Sequence, residues 1–213
     1  MGKNKLKHFA EMETFTNVFQ KATAMKGKWN EGFFQNNNPI TLELGCGKGE
    51  YSLALARLYP ERNFIGIDIK GARIWRGAKT ALEEGLKNVC FLRAQIDHLP
   101  EYFEPNSVDE IWLTFSDPHP PLHEAKKRLT SPKFISIYRQ VLKPTGIIHL
   151  KTDSSVLYEY TLEIIEELKL KIIYHSPDIY SGELYDKILE AKTYYENMHL
   201  KLGKTIKYVK FSL

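Results

Sequence analysis

Short apolar runs alternate with longer amphipathic stretches from residue 40 to the end of the chain. The apolar runs have the length of buried strands, and the longer stretches repeat their apolar positions every three to four residues, as helices do. This alternation predicts an α/β fold in which helices cover both faces of a mostly parallel sheet. The predicted strands are 40–44, 63–68, 89–94, 108–115, 147–152, 171–176 and 205–211. The predicted helices are 50–58, 72–86, 132–142 and 154–169.

The last predicted strand differs from the others because apolar and polar residues alternate along it, in TIKYVKF. Such alternation is typical of an antiparallel strand with one face in solvent. At the other end of the chain, the turn signal Asn-Asn-Asn-Pro at 36–39 separates an N-terminal segment from the rest. We therefore expect a basic N-terminal arm or helix over residues 1–38 and one domain over residues 39–213.

The turns that follow the parallel strands are the expected functional edge of this fold. Ligands of open α/β sheets bind outside the carboxyl ends of the strands, near the point where the strand order reverses. The turns after residues 44, 68, 94 and 115 should therefore lie along one edge and hold the chemistry.

The first of these turns is rich in glycine, with Gly45, Gly47 and Gly49 between Glu43 and Glu50. The glycines allow a sharp turn and a close approach of a ligand to the main chain. A dinucleotide-binding turn has the spacing G-x-G-x-x-G, whereas here the third glycine comes one residue early. The two carboxylates suit a cationic ligand better than a pyrophosphate. The turn resembles the first motif of S-adenosylmethionine-dependent methyltransferases, E-x-G-x-G-x-G.

Acidic and amide side chains follow the next two strands. Asp68 ends the second strand, where a carboxylate can accept hydrogen bonds from both hydroxyls of a ribose. Gln95, or as a second choice Asp97, follows the third strand and could meet the amino group of an adenine. These positions extend the prediction of a nucleoside-containing cofactor.

The fourth strand leads into the segment Phe-Ser-Asp-Pro-His-Pro, in which Pro118 and Pro120 end the strand and stiffen the turn. This places Asp117 at the functional edge. Downstream lie three further polar segments, KKRLT at 126–130, LKTD at 150–153 and TYYE at 193–196.

Taken in order, LELGCGKG, GIDIK, FSDP, KKRLT, LKTD and T-x-Y-E resemble the bacterial tRNA (guanine-N7)-methyltransferase family over roughly residues 10–213. The resemblance implies a Rossmann-like class I methyltransferase fold with a seven-stranded sheet. It also implies transfer of a methyl group from S-adenosylmethionine to N7 of a guanine in tRNA, usually position 46 in the variable loop.

Site residues follow from the same resemblance, position by position. The implied catalytic residues are Asp117 and Asp153. The implied cofactor contacts are Glu43, Gly45, Gly47, Gly49, Asp68, Gln95 and Asp117. The implied substrate contacts are Asp153, Thr193, Tyr194, Tyr195 and Glu196. The family usually has Trp and then lysines after Asp-Pro, whereas this chain has His119, Pro121 and Leu122. We expect Lys126, Lys127 or Arg128 to supply the missing charge.

Charge is distributed unevenly along the chain, although its net value is only +4. Residues 1–28 carry +4, residues 122–143 carry +5 and residues 192–213 carry +4, with acidic stretches between them. If the basic segments converge, they form an electrostatic footprint for a polyanion such as tRNA; each alone is equally consistent with solvated surface.

Several alternative chemistries are disfavoured by the residues present. Cys46 and Cys90 give no disulfide or metal pattern, and Cys46 reads as a small buried residue rather than a nucleophile. His119 and His123 have a zinc-compatible spacing, but prolines lie between them and no third ligand is evident. We therefore expect no metal. Tyr194, Tyr195 and Tyr208 could stack on a base or pack on the sheet.

No apolar run approaches the roughly 18 residues that a membrane span needs, and the N-terminus has no apolar signal region. We expect no membrane association, a cytoplasmic location, and a monomer or homodimer. Methylation of a small molecule or protein, an RNA-binding module without catalysis and a nicotinamide oxidoreductase remain the competing functions.

Overall fold

The computed structural model describes residues 2–213, with side chains from residue 6 onward. Eight strands in this part of the chain form one sheet. They are β1 (Val18–Gln20), β2 (Ile40–Leu44), β3 (Asn63–Asp68), β4 (Val89–Arg93), β5 (Val108–Thr114), β6 (Leu142–Thr152), β7 (Lys171–Ser176) and β8 (Lys207–Ser212).

The strand order is β1-β4-β3-β2-β5-β6-β8-β7. Strands β1 to β6 pair in parallel, and β8 lies antiparallel between β6 and β7. The prediction of a mostly parallel sheet with an antiparallel last strand is confirmed. The order reverses between β2 and β5, so the carboxyl ends of these two strands define the expected ligand edge.

The sheet has eight strands rather than the predicted seven because β1 adds one edge strand. It pairs with Phe91–Arg93 of β4. Three residues are too few to display a periodic pattern, so the sequence gives no strand signal there. The predicted N-terminal arm therefore includes a strand of the same sheet.

The helices are α1 (Gly2–Met12), α2 (Glu50–Leu58), α3 (Gly71–Glu83), α4 (Leu99–Tyr102), α5 (Pro132–Tyr138), α6 (Ser155–Glu167) and α7 (Tyr194–Lys201). Further helical turns, of the 3-10 or π type, occur at Thr23–Met25, Trp29–Phe34, Ile96–His98, Leu122–Lys127 and Lys187–Glu190. Helices α2, α3, α5 and α6 match predicted helices, and α1 lies in the segment predicted as an arm or helix, whereas α4 and α7 do not correspond to any predicted helix.

Helix α1 is attached to the domain through α3. The Glu11 carboxylate accepts hydrogen bonds from Trp75 Nε1 at 2.8 Å and from Lys79 Nζ at 2.7 Å. His8 stacks on the Trp75 ring with the ring centroids 3.8 Å apart. These contacts hold the start of the chain beside the functional edge of the sheet.

Alternate residues of each central strand point to opposite faces of the sheet, and each face has its own core. Ile65 and Ile67 of β3 belong to one apolar cluster, whereas Phe64 belongs to the other. All six residues of β3 are buried, as expected for a parallel strand covered by helices on both sides. Among residues 2–213, no helix has the length and apolar character needed to cross a membrane.

Candidate functional site

Two adjoining depressions lie at the carboxyl ends of the parallel strands. The wide depression, of about 580 Å³, includes Asp68, Gln95 and Asp117 in its lining, and the narrow depression, of about 90 Å³, includes Glu43 and Thr193. The two share Gly45, Arg73 and Phe115. The wide depression has a size typical of small-molecule sites, and it lies where the reversal of strand order predicts a ligand.

The glycine turn after β2 provides an open cradle for a ligand. Gly47 has a φ of +57°, and a Cβ placed on it would meet no atom within 4 Å. Gly49 has a φ of +69° and precedes α2; a Cβ there would lie 2.4 Å from the Phe91 ring. The turn therefore needs glycine at position 47 for its conformation and at position 49 also for packing.

Glu43 forms the floor of the narrow depression. Its side chain is buried and accepts hydrogen bonds from the Ser52 backbone N–H at 2.8 Å and from the Thr114 hydroxyl at 2.5 Å. Burial raises the pKa of Glu43 to about 7, against the opposing effect of these hydrogen bonds. A cation placed above it would favour the ionised form.

Asp68 lies on the wall of the wide depression and also braces the glycine turn. One carboxylate oxygen accepts from Gly47 N at 3.0 Å, and the other from Lys70 N at 2.7 Å. Gln95 and Asp97 line the same depression. The structure thus brings together the side chains that the sequence suggested for a ribose and an adenine.

Two residues of the loop that follows β5 have a left-handed backbone conformation. Phe115 has a φ of +49° and His119 a φ of +40°, values that side chains other than glycine adopt only at a cost. Asp117 is exposed and accepts a hydrogen bond from His119 N at 3.0 Å. Ser116 Oγ is buried, lines the wide depression and has no hydrogen-bond partner among residues 2–213.

Arg128 holds this strained loop in place from below. Its guanidinium donates to the carbonyl oxygens of Pro118 at 2.9 Å, His119 at 3.0 Å and Pro120 at 3.2 Å, and it lies 4.4 Å from the centroid of the Tyr160 ring. The residue is only 2% exposed. This placement does not agree with the expectation that Arg128 contacts the substrate, because the residue is buried and its Nε and Nη2 groups donate to the loop carbonyls.

The neighbouring lysines face solvent instead. Lys126 is exposed, and Lys127 lines the wide depression while it forms an ion pair with Glu124. Of the basic residues expected to replace the family's usual lysine, only these two are placed to meet a partner.

Asp153, at the end of β6, lies in a small cluster of charges. Its carboxylate is 2.7 Å from Lys204 Nζ and 3.4 Å from His199 Nδ1, and the side chain is 18% exposed. The carboxylate is therefore partly accessible but already paired with an exposed lysine side chain.

The segment Thr-Tyr-Tyr-Glu begins α7. Thr193 is the N-cap, and its hydroxyl accepts a hydrogen bond from Glu196 N at 3.2 Å. Tyr194 and Tyr195 are exposed and line the narrow depression together with Thr193. The helix start thus presents two aromatic rings to the site.

Glu196 is placed differently from the three residues before it. Its side chain is fully buried, 2.9 Å from Lys151 Nζ, and it accepts a hydrogen bond from the Tyr180 hydroxyl at 2.7 Å. The expectation that Glu196 contacts the substrate does not agree with this burial. The signal T-x-x-E is that of an N-terminal helix cap, which predicts the start of α7 and was not used in the sequence analysis.

Two further candidates are part of the interior. Tyr208 is buried in the sheet and hydrogen-bonds His149 Nδ1 at 2.7 Å, so it packs rather than stacking on a base. Cys46 is buried, and burial raises the pKa of its thiol well above the ordinary value. A thiol held in this neutral state is a poor nucleophile. Residues 2–213 contain no group of three His, Cys, Asp or Glu side chains arranged for a metal ion.

Four residues that shape the site were not predicted from the sequence. Ser52 and Thr114 hold Glu43, and Arg73 lines both depressions. Lys151 belongs to the motif LKTD, but its buried position has no local sequence signal. Arg73 ends the run GIDIKGAR, just after the second predicted strand. Its position near the carboxyl end of that strand could have indicated a side chain at the functional edge.

Comparison with known proteins places the chain in a family. A family model described as a putative methyltransferase matches residues 37–209. A tRNA (guanine-N(7)-)-methyltransferase from Bacteroides thetaiotaomicron is 49% identical, covering 100% of this chain and 87% of the relative. One of the same name from Christiangramia forsetii is 50% identical, covering 99% of this chain and 98% of the relative.

The fold is also that of known methyltransferases. A SAM-dependent methyltransferase structure from Aquifex aeolicus aligns over 97% of both chains with a TM-score of 0.55, at 17% identity. The expected Rossmann-like methyltransferase fold is thereby confirmed. With half of its residues identical to those of relatives matched along their length, the chain belongs to the tRNA (guanine-N(7)-)-methyltransferase family.

Proposed function

We propose that this protein transfers the methyl group of S-adenosylmethionine to N7 of a guanine in tRNA, and that this guanine is position 46 of the variable loop. The observation that carries the proposal is the meeting of the glycine cradle, Asp68 and the strained loop of Asp117 at one cleft, in a chain with full-length relatives of that activity. Position 46 rests on the family resemblance alone.

The residues of the cleft fit S-adenosylmethionine. Ser116 lines the wide depression, and its Oγ is a buried polar atom without a partner among residues 2–213, which a polar ligand could satisfy. The narrow depression carries both Lys48 and Arg73 as cations and Glu43 and Glu50 as carboxylates. This mixture suits the zwitterionic methionine end of the cofactor and does not suit a pyrophosphate.

Individual contacts follow from this fit. Asp68 would accept hydrogen bonds from the ribose hydroxyls, and Gln95, with Asp97 as the second candidate, would bind the adenine amino group. Glu43 would stabilise the positive charge of the methionine end from the floor of the narrow depression. The backbone of Gly45, Gly47 and Gly49 would allow the close approach.

Guanine N7 is a lone-pair acceptor and loses no proton when it is methylated, so no general base is needed. When bound, S-adenosylmethionine supplies a methyl group on a positively charged sulfur. The protein's contribution is then orientation, which can supply roughly 7–11 kcal/mol of the barrier. Carboxylates near the base would stabilise the positive charge that develops on it.

We assign that role to two carboxylates, Asp117 and Asp153. Asp117 is exposed on the rim of the wide depression. Asp153 could accept hydrogen bonds from N1–H and N2–H of guanine once Lys204 releases it. Tyr194 and Tyr195 offer rings on which the guanine could stack. Lys126 and Lys127 would contact tRNA phosphates, which fix the position of the RNA without reading its sequence.

The position can be tested with two transcripts that differ at one nucleotide. An unmodified tRNA transcript with guanine at position 46 is compared with one carrying adenine there, and the methylated nucleoside is identified by mass spectrometry. The proposal predicts 7-methylguanosine in the first transcript and none in the second. Equal methylation of both transcripts would reject position 46, and 7-methylguanosine in neither would reject the proposed reaction.

A further inference from the structure

The Lys151 ammonium makes three contacts with a segment of chain far away in sequence. The side chain is fully buried, and Nζ lies 3.1 Å from the carbonyl oxygen of Leu189, 3.0 Å from that of Ala191 and 2.9 Å from Glu196 Oε2. The ammonium donates hydrogen bonds to the two carbonyl oxygens and forms an ion pair with the carboxylate. Burial lowers the pKa of Lys151, and the Glu196 carboxylate opposes this shift.

These contacts bracket the segment that lines the narrow depression. Leu189 and Ala191 precede Thr193, and Glu196 follows Tyr195, so that Lys151 grips the chain on both sides of the lining residues. The same cation thus fixes the segment before and after the point at which it reaches the site.

Further contacts join this grip to the rest of the cleft. The Tyr51 hydroxyl donates to the carbonyl oxygen of Ile188 at 3.2 Å, and the Tyr51 ring centroid is 5.3 Å from Lys151 Nζ. The backbone N–H of Phe115, in the strained loop, donates to the carbonyl oxygen of Lys151 at 2.8 Å. Lys151 of β6 therefore contacts the loop after β5 through its backbone and the start of α7 through its side chain.

We propose that Lys151 is a positioning residue that fixes the segment Thr193–Tyr195 at the cleft, and that Glu196 acts through Lys151 rather than by touching the guanine. The functional role of the segment rests on the proposed methyl transfer, whereas its anchoring does not. A buried ion pair is an inefficient source of stability, but loss of one partner leaves an uncompensated charge. Such a pair is suited to holding one arrangement of the chain.

Anchoring can be measured without any assay of activity. Lys187 and Lys192 are exposed trypsin sites that precede the segment Thr193–Tyr195, and Lys192 directly adjoins it. Lys151→Met should increase native-state cleavage after these lysines by about tenfold or more, as expected for loss of one coupled interaction. Ile164→Ala is the matched control, because Ile164 is buried in the core on the opposite face of the sheet. Cleavage unchanged in Lys151→Met, or raised equally by Ile164→Ala, would overturn the proposal.

A double-mutant cycle separates the two possible roles of Glu196. Glu196→Gln, Lys151→Met and the double variant are compared for kcat and KM on tRNA and for binding of S-adenosylhomocysteine. If Glu196 acts through Lys151, the double variant loses no more than the more impaired single variant, and the loss appears in cofactor binding and KM. If Glu196 touches guanine, the two losses multiply, and this outcome would overturn the assignment.

The double variant lacks both buried charges and so leaves neither one uncompensated. If a single variant fails to fold, trypsin cleavage is measured on the double variant instead. Lys151→Arg, which retains the charge, should restore part of the protection from trypsin. Failure of the proposed function differs from failure of this inference. The first would appear as absence of 7-methylguanosine with the wild-type chain, whereas trypsin cleavage reports the anchoring independently of activity.

Discussion

The two walls of the cleft are held by different means. The glycine wall, formed by residues 45–49 and Asp68, is fixed by backbone conformation and by hydrogen bonds between neighbouring turns. The loop wall, formed by residues 115–128 and 193–196, is fixed by two buried cations, Arg128 and Lys151, that bind main-chain carbonyls. The first wall can be read from a local motif. The second depends on side chains that bind backbone carbonyls. Because every residue type has a backbone carbonyl, the sequence does not indicate these partners.

This difference shows that a basic residue in a functional motif need not meet the substrate. Arg128 stands in the run Lys-Lys-Arg, and all three residues look equivalent as candidates for phosphate binding. The first two lie at the surface, whereas the third organises the loop that carries Asp117. The walls should therefore respond differently to substitution.

The largest effect is expected in the glycine wall. Gly49→Ala places a Cβ 2.4 Å from the Phe91 ring at a φ of +69°. The free energy of unfolding should fall by about 2–4 kcal/mol through backbone strain and overpacking, with loss of S-adenosylhomocysteine binding in calorimetry. Gly47→Ala is the control, since it adds strain without a clash and should cost about 1–2 kcal/mol. Equal costs in urea unfolding would contradict the packing argument.

A smaller effect on stability but a large one on activity is expected for the loop wall. Arg128→Met leaves the carbonyls of residues 118–120 without their donor, so Asp117 should shift. Misplacement by about 1 Å can reduce kcat/KM by about 10²-fold. Arg128→Lys should recover only part of the activity, because it lacks the planar fork of donors. Wild-type rates in Arg128→Met would show that these hydrogen bonds are dispensable, and Lys169→Met, at an exposed lysine away from the cleft residues, serves as the surface control.

The buried Glu43, at the floor of the narrow depression, should make the free energy of unfolding depend on pH. The pKa of Glu43 is raised from 4.5 to about 7 in the folded protein. Protonated Glu43 therefore contributes fully to the free energy of unfolding below pH 4.5, and this contribution is lost as the pH rises through 7. Glu43→Gln should remove about 3 kcal/mol of this pH dependence, measured by urea unfolding between pH 4 and about pH 8. A slope as steep in Glu43→Gln as in wild type would reject the role of burial; Glu50→Gln is the control.

The smallest effect is expected at the exposed end of the basic run. Lys126→Ala should weaken tRNA binding a few-fold and reduce the slope of log K against log salt by about 1, with stability unchanged. Lys169→Ala, an exposed lysine between α6 and β7, is the matched control. An unchanged slope would mean that Lys126 meets no phosphate.

Most of the architecture is predictable from the sequence because buried parallel strands and amphipathic helices have distinct periods. The misses have physical reasons. Strand β1 has only three residues, too few for a periodic pattern. Helix α7 has no clear apolar stripe, and its sequence signal is the N-cap at Thr193. The candidate site was predicted as far as its residues follow strand ends, as Asp68 and Asp117 do. The burial of Arg128 and Glu196 depends on the tertiary packing of segments that are distant in sequence.

The central claim is that the cleft orients a guanine of tRNA for methylation at N7. The most direct test is transfer of radiolabelled methyl groups from S-adenosylmethionine to unmodified tRNA, with mass-spectrometric identification of the nucleoside, for the wild-type chain and for Asp153→Ala. The account predicts 7-methylguanosine with the wild-type chain and its loss in the variant. Binding of the cofactor without methylation of tRNA by the wild-type chain, or a variant as active as wild type, would contradict it.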